Sequence, residues 1–357
     1  MTEKTSSSLE LDDCDLRATA SFLARVFGGT AVGFLTFFRH WWEHNPAWTQ
    51  SLPKGWIVKS ANGSIIAFTA NIPFLYQING ADGISCATGS TAVDERWRGH
   101  GLSKLVGNRF LDQPSVDLLV GTGSTDLAYK LWLSLGMRPV QRPWPNASYC
   151  IPGSFTASIG NTRRNQITKR ILCPVGAFGD IVYGIISSPP RATIRLPISE
   201  VDSFEPTDDP DLLACRASVA STFSLRNAVI MNWLYFGSSY IRASRVVLVA
   251  KSAQRIVGYI AMKRQSHSLL LLECRTIDAD EEVAKNLFWA AQDYARRNDI
   301  AYIRVWRYSP MINSAVPRMC RIARLSPPMM TYCYKANRSF DEADWETTPG
   351  DGDQSVI

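Results

Sequence analysis

One succession of segments occurs twice in this chain of 357 residues, and that repetition limits the folds open to it more than any other feature. The first copy opens with an amphipathic stretch, Leu16–Phe27, with Leu16, Leu23, Val26 and Phe27 on one face and Gly28-Gly29 as a stop. A second helical stretch ends in Trp41-Trp42-Glu43-His44-Asn45-Pro46. Two β-type runs, Trp56-Ile57-Val58-Lys59 and Ile65-Ile66-Ala67-Phe68, flank Asn62-Gly63, a strong hairpin signal. A strand over 84–93, a helix over 99–111, a strand over 116–120 and a helix over 127–135 follow. From Asp211 the order returns. A helix over 212–223 and one ending at Phe236 precede strands over 246–250, 256–260 and 268–275, a helix over Glu281–Arg297, a strand over 301–306 and a helix over 312–325. Strands after Met137 and near 330–334 close the copies. Each copy reads α-α-β-β-β-α-β-α-β, which predicts a duplicated domain of mixed α/β (α+β) class, the other reading being two unrelated α/β domains that share an element order.

The most informative junction is Val93-Asp94-Glu95-Arg96-Trp97-Arg98-Gly99-His100-Gly101-Leu102-Ser103-Lys104-Leu105. A strand enters a short basic turn, and an amphipathic helix leaves it with Leu102, Leu105, Val106 and Phe110 on one face. Glycines allow positive φ and close backbone approach. The first N–H groups of the helix point outward together, and the helix dipole adds partial positive charge. Arg96, Arg98 and Lys104 add full charges. The result is an oxyanion cradle suited to a pyrophosphate. A dinucleotide fingerprint needs a third glycine, and a P-loop needs Gly-Lys-Ser/Thr; neither occurs here.

R-x-x-G-x-G directly after a strand, Arg96 to Gly101, resembles the acyl-coenzyme A signature of the GNAT N-acetyltransferase superfamily. Leu118-Leu119-Val120-Gly121-Thr122, a helix over 126–135 with Ala128 at a small position, and Gly136-Met137 resemble the next strand, helix and Gly-Phe ending of that family. The resemblance implies two tandem GNAT-like domains, each a mixed, largely antiparallel central sheet flanked by helices. It implies acetyl-CoA as co-substrate, with the pantetheine arm in a gap between two splayed strands. Val93 would pair with that arm. The turn Arg96, Trp97, Arg98, Gly99, His100, Gly101, Leu102, with Ser103 beyond it, would hold the pyrophosphate. Thr125 stands where the family often has Asn, and Trp132 where it often has an acidic Tyr. An indole N–H is no acid catalyst, which leaves Tyr129 as the nearby phenol. Candidates for the general base are Glu43, His44, Asp94 and Glu95.

The matching turn of the second copy, Arg275-Thr276-Ile277-Asp278-Ala279-Asp280-Glu281-Glu282, has no glycine and four acids. Those charges repel a pyrophosphate but suit a helix N-terminus. The second copy is therefore expected to keep the fold without coenzyme A binding and to shape the acceptor cleft. Its Trp289, Tyr294, Trp306 and Tyr308 are expected in the core.

The expected division is an N-terminal domain over 1–151, a basic Pro-containing connection over 152–200, a C-terminal domain over 201–337 and an acidic disordered tail over 338–357. The stretch 138–195 carries eight basic residues and one acid, Asp180; it reads as a solvated linker or as a basic surface for an anionic ligand or lipid headgroups. A net charge of +6 with interspersed signs gives no nucleic-acid-binding arm. Eight scattered cysteines without CxxC spacing, and four histidines, argue against a metal site and for reduced thiols. The polar, acidic stretch at the start of the sequence is not expected to act as a signal peptide. The nearest candidate membrane span, 171–187, is interrupted by Pro174, Gly176, Gly179, Asp180 and Gly184, so a cytoplasmic chain is expected. The resemblance implies acyl transfer to an amine of a small molecule, or of a protein. The other readings are a non-catalytic coenzyme A sensor or scaffold, a Fem-type transferase using aminoacyl-tRNA, and an O-acyltransferase of polysaccharide precursors.

Overall fold

A computed structural model describes residues 8–122, 125–140, 148–154, 195–218, 220–306, 309–316, 333–342, 345–346 and 348. Most of the basic connection, the candidate span, Tyr308, Cys173 and Cys320 lie outside these residues, as does the side chain of Trp306.

The first half runs β1 (Ser8–Glu10), α1 (Leu16–Phe27), α2 (Ala31–Phe38), a π-helical turn (Arg39–Glu43), β2 (Gly55–Lys59), β3 (Ile65–Ile78), β4 (Ala81–Val93), α3 (Leu102–Leu111), β5 (Leu118–Gly121), α4 (Asp126–Ser134) and β6 (Arg138–Pro139). After β7 (Ser148–Pro152) the second half runs β8 (Ile198–Val201), α5 (Asp209–Ala214), β9 (Cys215–Arg216), β10 (Phe223–Ser224), α6 (Ala228–Phe236), α7 (Ser239–Ala243), β11 (Arg245–Ser252), β12 (Arg255–Gln265), β13 (Ser268–Ile277), α8 (Glu281–Arg297), β14 (Tyr302–Trp306), α9 (Pro310–Ala315) and β15 (Cys333–Ala336). Each half also has a leading strand, β1 or β8, too short and polar to read in the sequence. These edge strands pair with β2 and β11.

Among the described residues there are two mixed sheets, ordered β1-β2-β3-β4-β5-β15-β6 and β7-β14-β13-β12-β11-β8. Both are antiparallel except at β4–β5 and β13–β14, which are parallel. Side chains alternate across each strand. In the first sheet Phe68, Ala70, Ile72 and Phe74 enter one core beneath α1, α2 and the first-facing helices of the second half. Ile66, Ala67, Cys86 and Leu119 enter a second core under α3 and α4. The second sheet packs its other face against α8 and α9.

The last strands are exchanged. β15 lies between β5 and β6 in the first sheet, pairing Cys333 with Gly121 and Tyr334 with Val120. β7 lies against β14 in the second sheet. The expected divisions at 151 and 337 therefore do not separate sheet from sheet, because short strands of similar length, five and four residues, close either copy and sequence alone does not choose between them.

Two further expectations change. The helix expected over 212–223 stops at Ala214, because the N–H groups of Ala217 and Ser218 donate to the Glu346 carboxylate, each at 2.9 Å, rather than continuing the helix. The chain instead crosses between the sheets: β9 pairs with β13, and β10 with β3. The tail expected to be disordered is docked where it is described. Trp345 packs on Tyr334 and Phe340, and Glu346 is buried.

No single helix among the described residues is long and apolar enough to cross a membrane. The apolar pair formed by α1 and α2 is bent by 119° and lays Phe34, Phe38, Trp41 and Trp42 into the core.

Candidate functional site

β4 pairs with β3 along its length but with β5 only from Ser85 to Thr88. Residues 89–93 thus have no strand on the β5 side among the described residues, a free edge of roughly 16 Å at ~3.3 Å per residue. The split begins at a bulge, where the β3–β4 register shifts between Phe68 and Ala70 and Ser90 takes φ +48°. Three hydroxyls meet there. Thr69 Oγ1 lies 3.0 Å from Thr88 Oγ1 and 2.8 Å from Thr91 Oγ1, and the latter two are 3.2 Å apart. Nothing in the sequence spacing singled them out, because the bulge brings Thr88 and Thr91 onto one face.

The free edge runs into the basic turn. Asp94 accepts from the Arg96 N–H at 3.1 Å and pairs with Arg25 at 2.7 Å. It is thereby committed to shaping the turn. Gly99 and Gly101 have φ +84° and +77°, which favour glycine, and a Cβ on either would meet nothing within 4 Å. Gly101 is the N-cap of α3 and brings no side-chain acceptor to the helix's first N–H groups. Leu102 is buried and anchors the helix, Ser103 and Trp97 are half-buried, and Arg96, Arg98, His100 and Lys104 are exposed. Val93 is half-buried on the same edge, packed against the core under α3. The N–H groups of Trp97 and Arg98 are already spent on the carbonyls of Asp94 and Glu95, at 2.9 and 3.3 Å, so the turn's outward amides are those from Gly99 into the first turn of α3, flanked by cations.

α4 begins where β5 ends. Thr125 is spent as its N-cap, accepting from Ala128 N at 3.3 Å. Tyr129 is half-buried against the same core as Val93 and Trp97, and burial raises its pKa, so it stays a protonated donor. Trp132 is 1% exposed, edge-on to Phe110 at 5.5 Å, and is a core residue. Glu43 is exposed at the end of the π-turn, 3.9 Å from Arg39, and Glu95 and His44 are exposed too. All three face solvent. The structure reveals His40, buried and stacked on Trp233 of the second half at 5.3 Å, with neither ring nitrogen hydrogen-bonded among the described residues. Burial, with Arg245 and His44 nearby, lowers its pKa to about 3.

The same place in the second half is closed. β13 and β14 pair only from Ser268 to Leu270 and then diverge, but β9 occupies the gap, pairing Arg216 with Thr276 and Cys215 with Ile277. Asp280 caps α8, accepting from Glu282 N at 2.7 Å and Val283 N at 3.2 Å. Its carboxylate takes the amides that a phosphate would need. Behind β9, Glu273 is held by Arg226 at 3.0 Å and Arg275 at 3.3 Å, and Arg275 reaches Glu346 at 3.1 Å. Tyr294 is buried as expected, accepting from Arg264 at 2.6 Å, while Trp289 is half-buried. No group of three or more metal-ligating side chains occurs among the described residues.

No protein-family model and no curated protein matches this chain. Solved structures do. A conserved protein of unknown function from Enterococcus faecalis, described as "Probable N-Acyltransferase", superposes with TM-score 0.59 at 11% identity over 93% of this chain and 73% of that one. A GCN5-related N-acetyltransferase from Kribbella flavida gives 0.58 at 12% over 94% and 71%. The Saccharomyces cerevisiae N-myristoyltransferase with bound myristoyl-CoA gives 0.56 at 10% over 94% and 84%. At such identities the likeness establishes the fold: a tandem GNAT-like architecture along nearly the whole chain.

Proposed function

We propose that the first half binds an acyl-coenzyme A and transfers its acyl group to an amine, while the second half is a degenerate copy that binds no coenzyme A. One contrast carries this reading. α3 starts with an uncapped N-terminus behind an open glycine turn at the end of a free strand edge, whereas α8 starts with Asp280 on its amides and β9 in the gap. Val93 and the edge before it would take the pantetheine amides. The amides from Gly99 to Ser103, with the side chains of Arg96, Arg98 and His100, would hold the pyrophosphate; the Trp97 and Arg98 amides expected there are taken by Asp94 and Glu95 carbonyls. Thr125, as the α4 cap, would fix the far side of the gap. The similar solved structures described as acyltransferases support the donor class.

Acetyl is the acyl group this reading starts from. A neutral amine attacks the thioester carbonyl, a C–N bond forms, and the C–S bond breaks. The departing thiolate takes a proton, for which Tyr129 is the candidate donor. The amine's surplus proton passes to water, with Glu95 or Glu43 as the exposed carboxylates nearest in sequence to the turn and the π-helix. The acceptor is an amino sugar, polyamine, amino acid or protein lysine.

The test is free thiol release from acetyl-CoA on a panel of such amines. Tyr129→Phe is expected to slow the reaction at least tenfold while leaving coenzyme A binding intact; an unchanged rate removes Tyr129 as the acid. Coenzyme A binding without thiol release on any amine favours a non-catalytic sensor. That second reading draws on one observation: Trp132, at the position of the family's acidic Tyr, is sealed in the core.

A further inference from the structure

The solved structures with this fold include both acetyl- and myristoyltransferases, so the fold leaves the acyl length open. The inner end of the split bears on it. An arm lying along residues 89–93 with its phosphates at the α3 N-terminus brings its thioester to the bulge beside Thr88. From there an acyl chain can leave the sheet on either face. On the α3/α4 face stand the hydroxyls of Thr69, Thr88 and Thr91, already bonded to one another, a poor bed for alkyl carbon. On the other face Ala70 and Ala92 are small and apolar. Ala92 pairs with Phe68, whose ring is 6.1 Å from Phe38, and Phe38 lies 5.7 Å from Trp41 and 5.0 Å from Trp42. These four aromatic side chains are 0–2% exposed, so among the described residues they line no open channel. A long chain needs a tunnel, and the walls of a tunnel have exposed surface.

We infer that the acyl site admits only a short chain, and that Phe38 and Phe68, backed by Trp41 and Trp42, are the stop that sets its length. The inference rests on the acyl-CoA reading above and deepens it. Tyr240 of the second half packs edge-on to Phe37 at 5.6 Å, and Phe37 stacks on Trp41 at 6.2 Å. The second copy thus backs the stop from outside, which gives a degenerate domain a part in donor choice.

The experiment is competition of acetyl-, butyryl-, octanoyl- and myristoyl-CoA against coenzyme A on the full chain. Each methylene taken into an apolar slot tightens binding about fourfold. A stop predicts no such gain: affinity is flat or falls beyond the shortest chains. Octanoyl-CoA binding tenfold or more tighter than acetyl-CoA overturns the stop. Failure of coenzyme A itself to bind overturns the acyl-CoA reading and the stop with it, and is recognised because every thioester then fails alike. Phe38→Leu is expected to improve butyryl-CoA severalfold relative to acetyl-CoA; an unchanged ratio in a folded variant contradicts the role of Phe38. If that variant does not fold, the wild-type series still decides.

Discussion

Single residues separate the two halves more sharply than their shared topology does. Gly99 and Gly101 stand in open space at positive φ, so Gly101→Val costs only the strain of that conformation, about 1–3 kcal/mol. It should lower the melting temperature modestly and abolish the stabilisation given by coenzyme A; a preserved ligand shift places the phosphates elsewhere. Two buried groups tie stability to acid pH. His40 has a folded pKa of about 3 against an ordinary 6.5, so the unfolded chain binds its proton first. The neutral imidazole contributes stability above pH 6.5 that is lost progressively as pH falls towards 3. For Glu273, burial acts upward, but Arg226 and Arg275 outweigh it and hold the carboxyl at about 2 against 4.5. Its contribution is present above pH 4.5 and lost as pH falls through 2. Unfolding by denaturant across pH 8 to 4 should therefore show a loss beginning near 6.5 that His40→Phe diminishes. A slope unchanged in that variant would assign the loss to another group.

The elements explain which parts of this were legible in the sequence. Leu16–Phe27 and Glu281–Arg297 were readable to the residue because an apolar stripe, a glycine stop or an acidic first turn agree at their ends. The basic turn was readable because glycines and arginines are needed there for reasons local to the turn. β9 and β10 were not, since two residues carry no periodicity and each pairs with a strand far away in the chain. The threonine cluster depends on a bulge, and His40 on a partner, Trp233, that is 193 residues distant. The closure of the second split was half legible: its acids and their fit to a helix N-terminus were evident, but not that β9 would fill the gap. Asp280→Ala removes the cap of α8 and should cost about 1 kcal/mol without creating a second coenzyme A site. Appearance of a second site would mean that β9 does not block the gap.

The whole molecule is tied together by exchange. β15 carries the C-terminal half into the first sheet, β7 carries the N-terminal half into the second, and Glu346 anchors the tail to the crossing segment and to Arg275. Neither half keeps a complete sheet alone. A fragment ending at residue 151 lacks the strand between β5 and β6, and is expected to show no cooperative unfolding transition by circular dichroism. A cooperative transition in that fragment would show the exchange to be dispensable. The repeat visible in the sequence is therefore tied into one folding unit in which, among the described residues, the first split is open and the second is filled. Calorimetric titration of the full chain with acetyl-CoA tests that most directly. The expected result is one binding event per chain, abolished by Gly101→Val and retained in Asp280→Ala. Two events per chain, none, or one that survives Gly101→Val would contradict it.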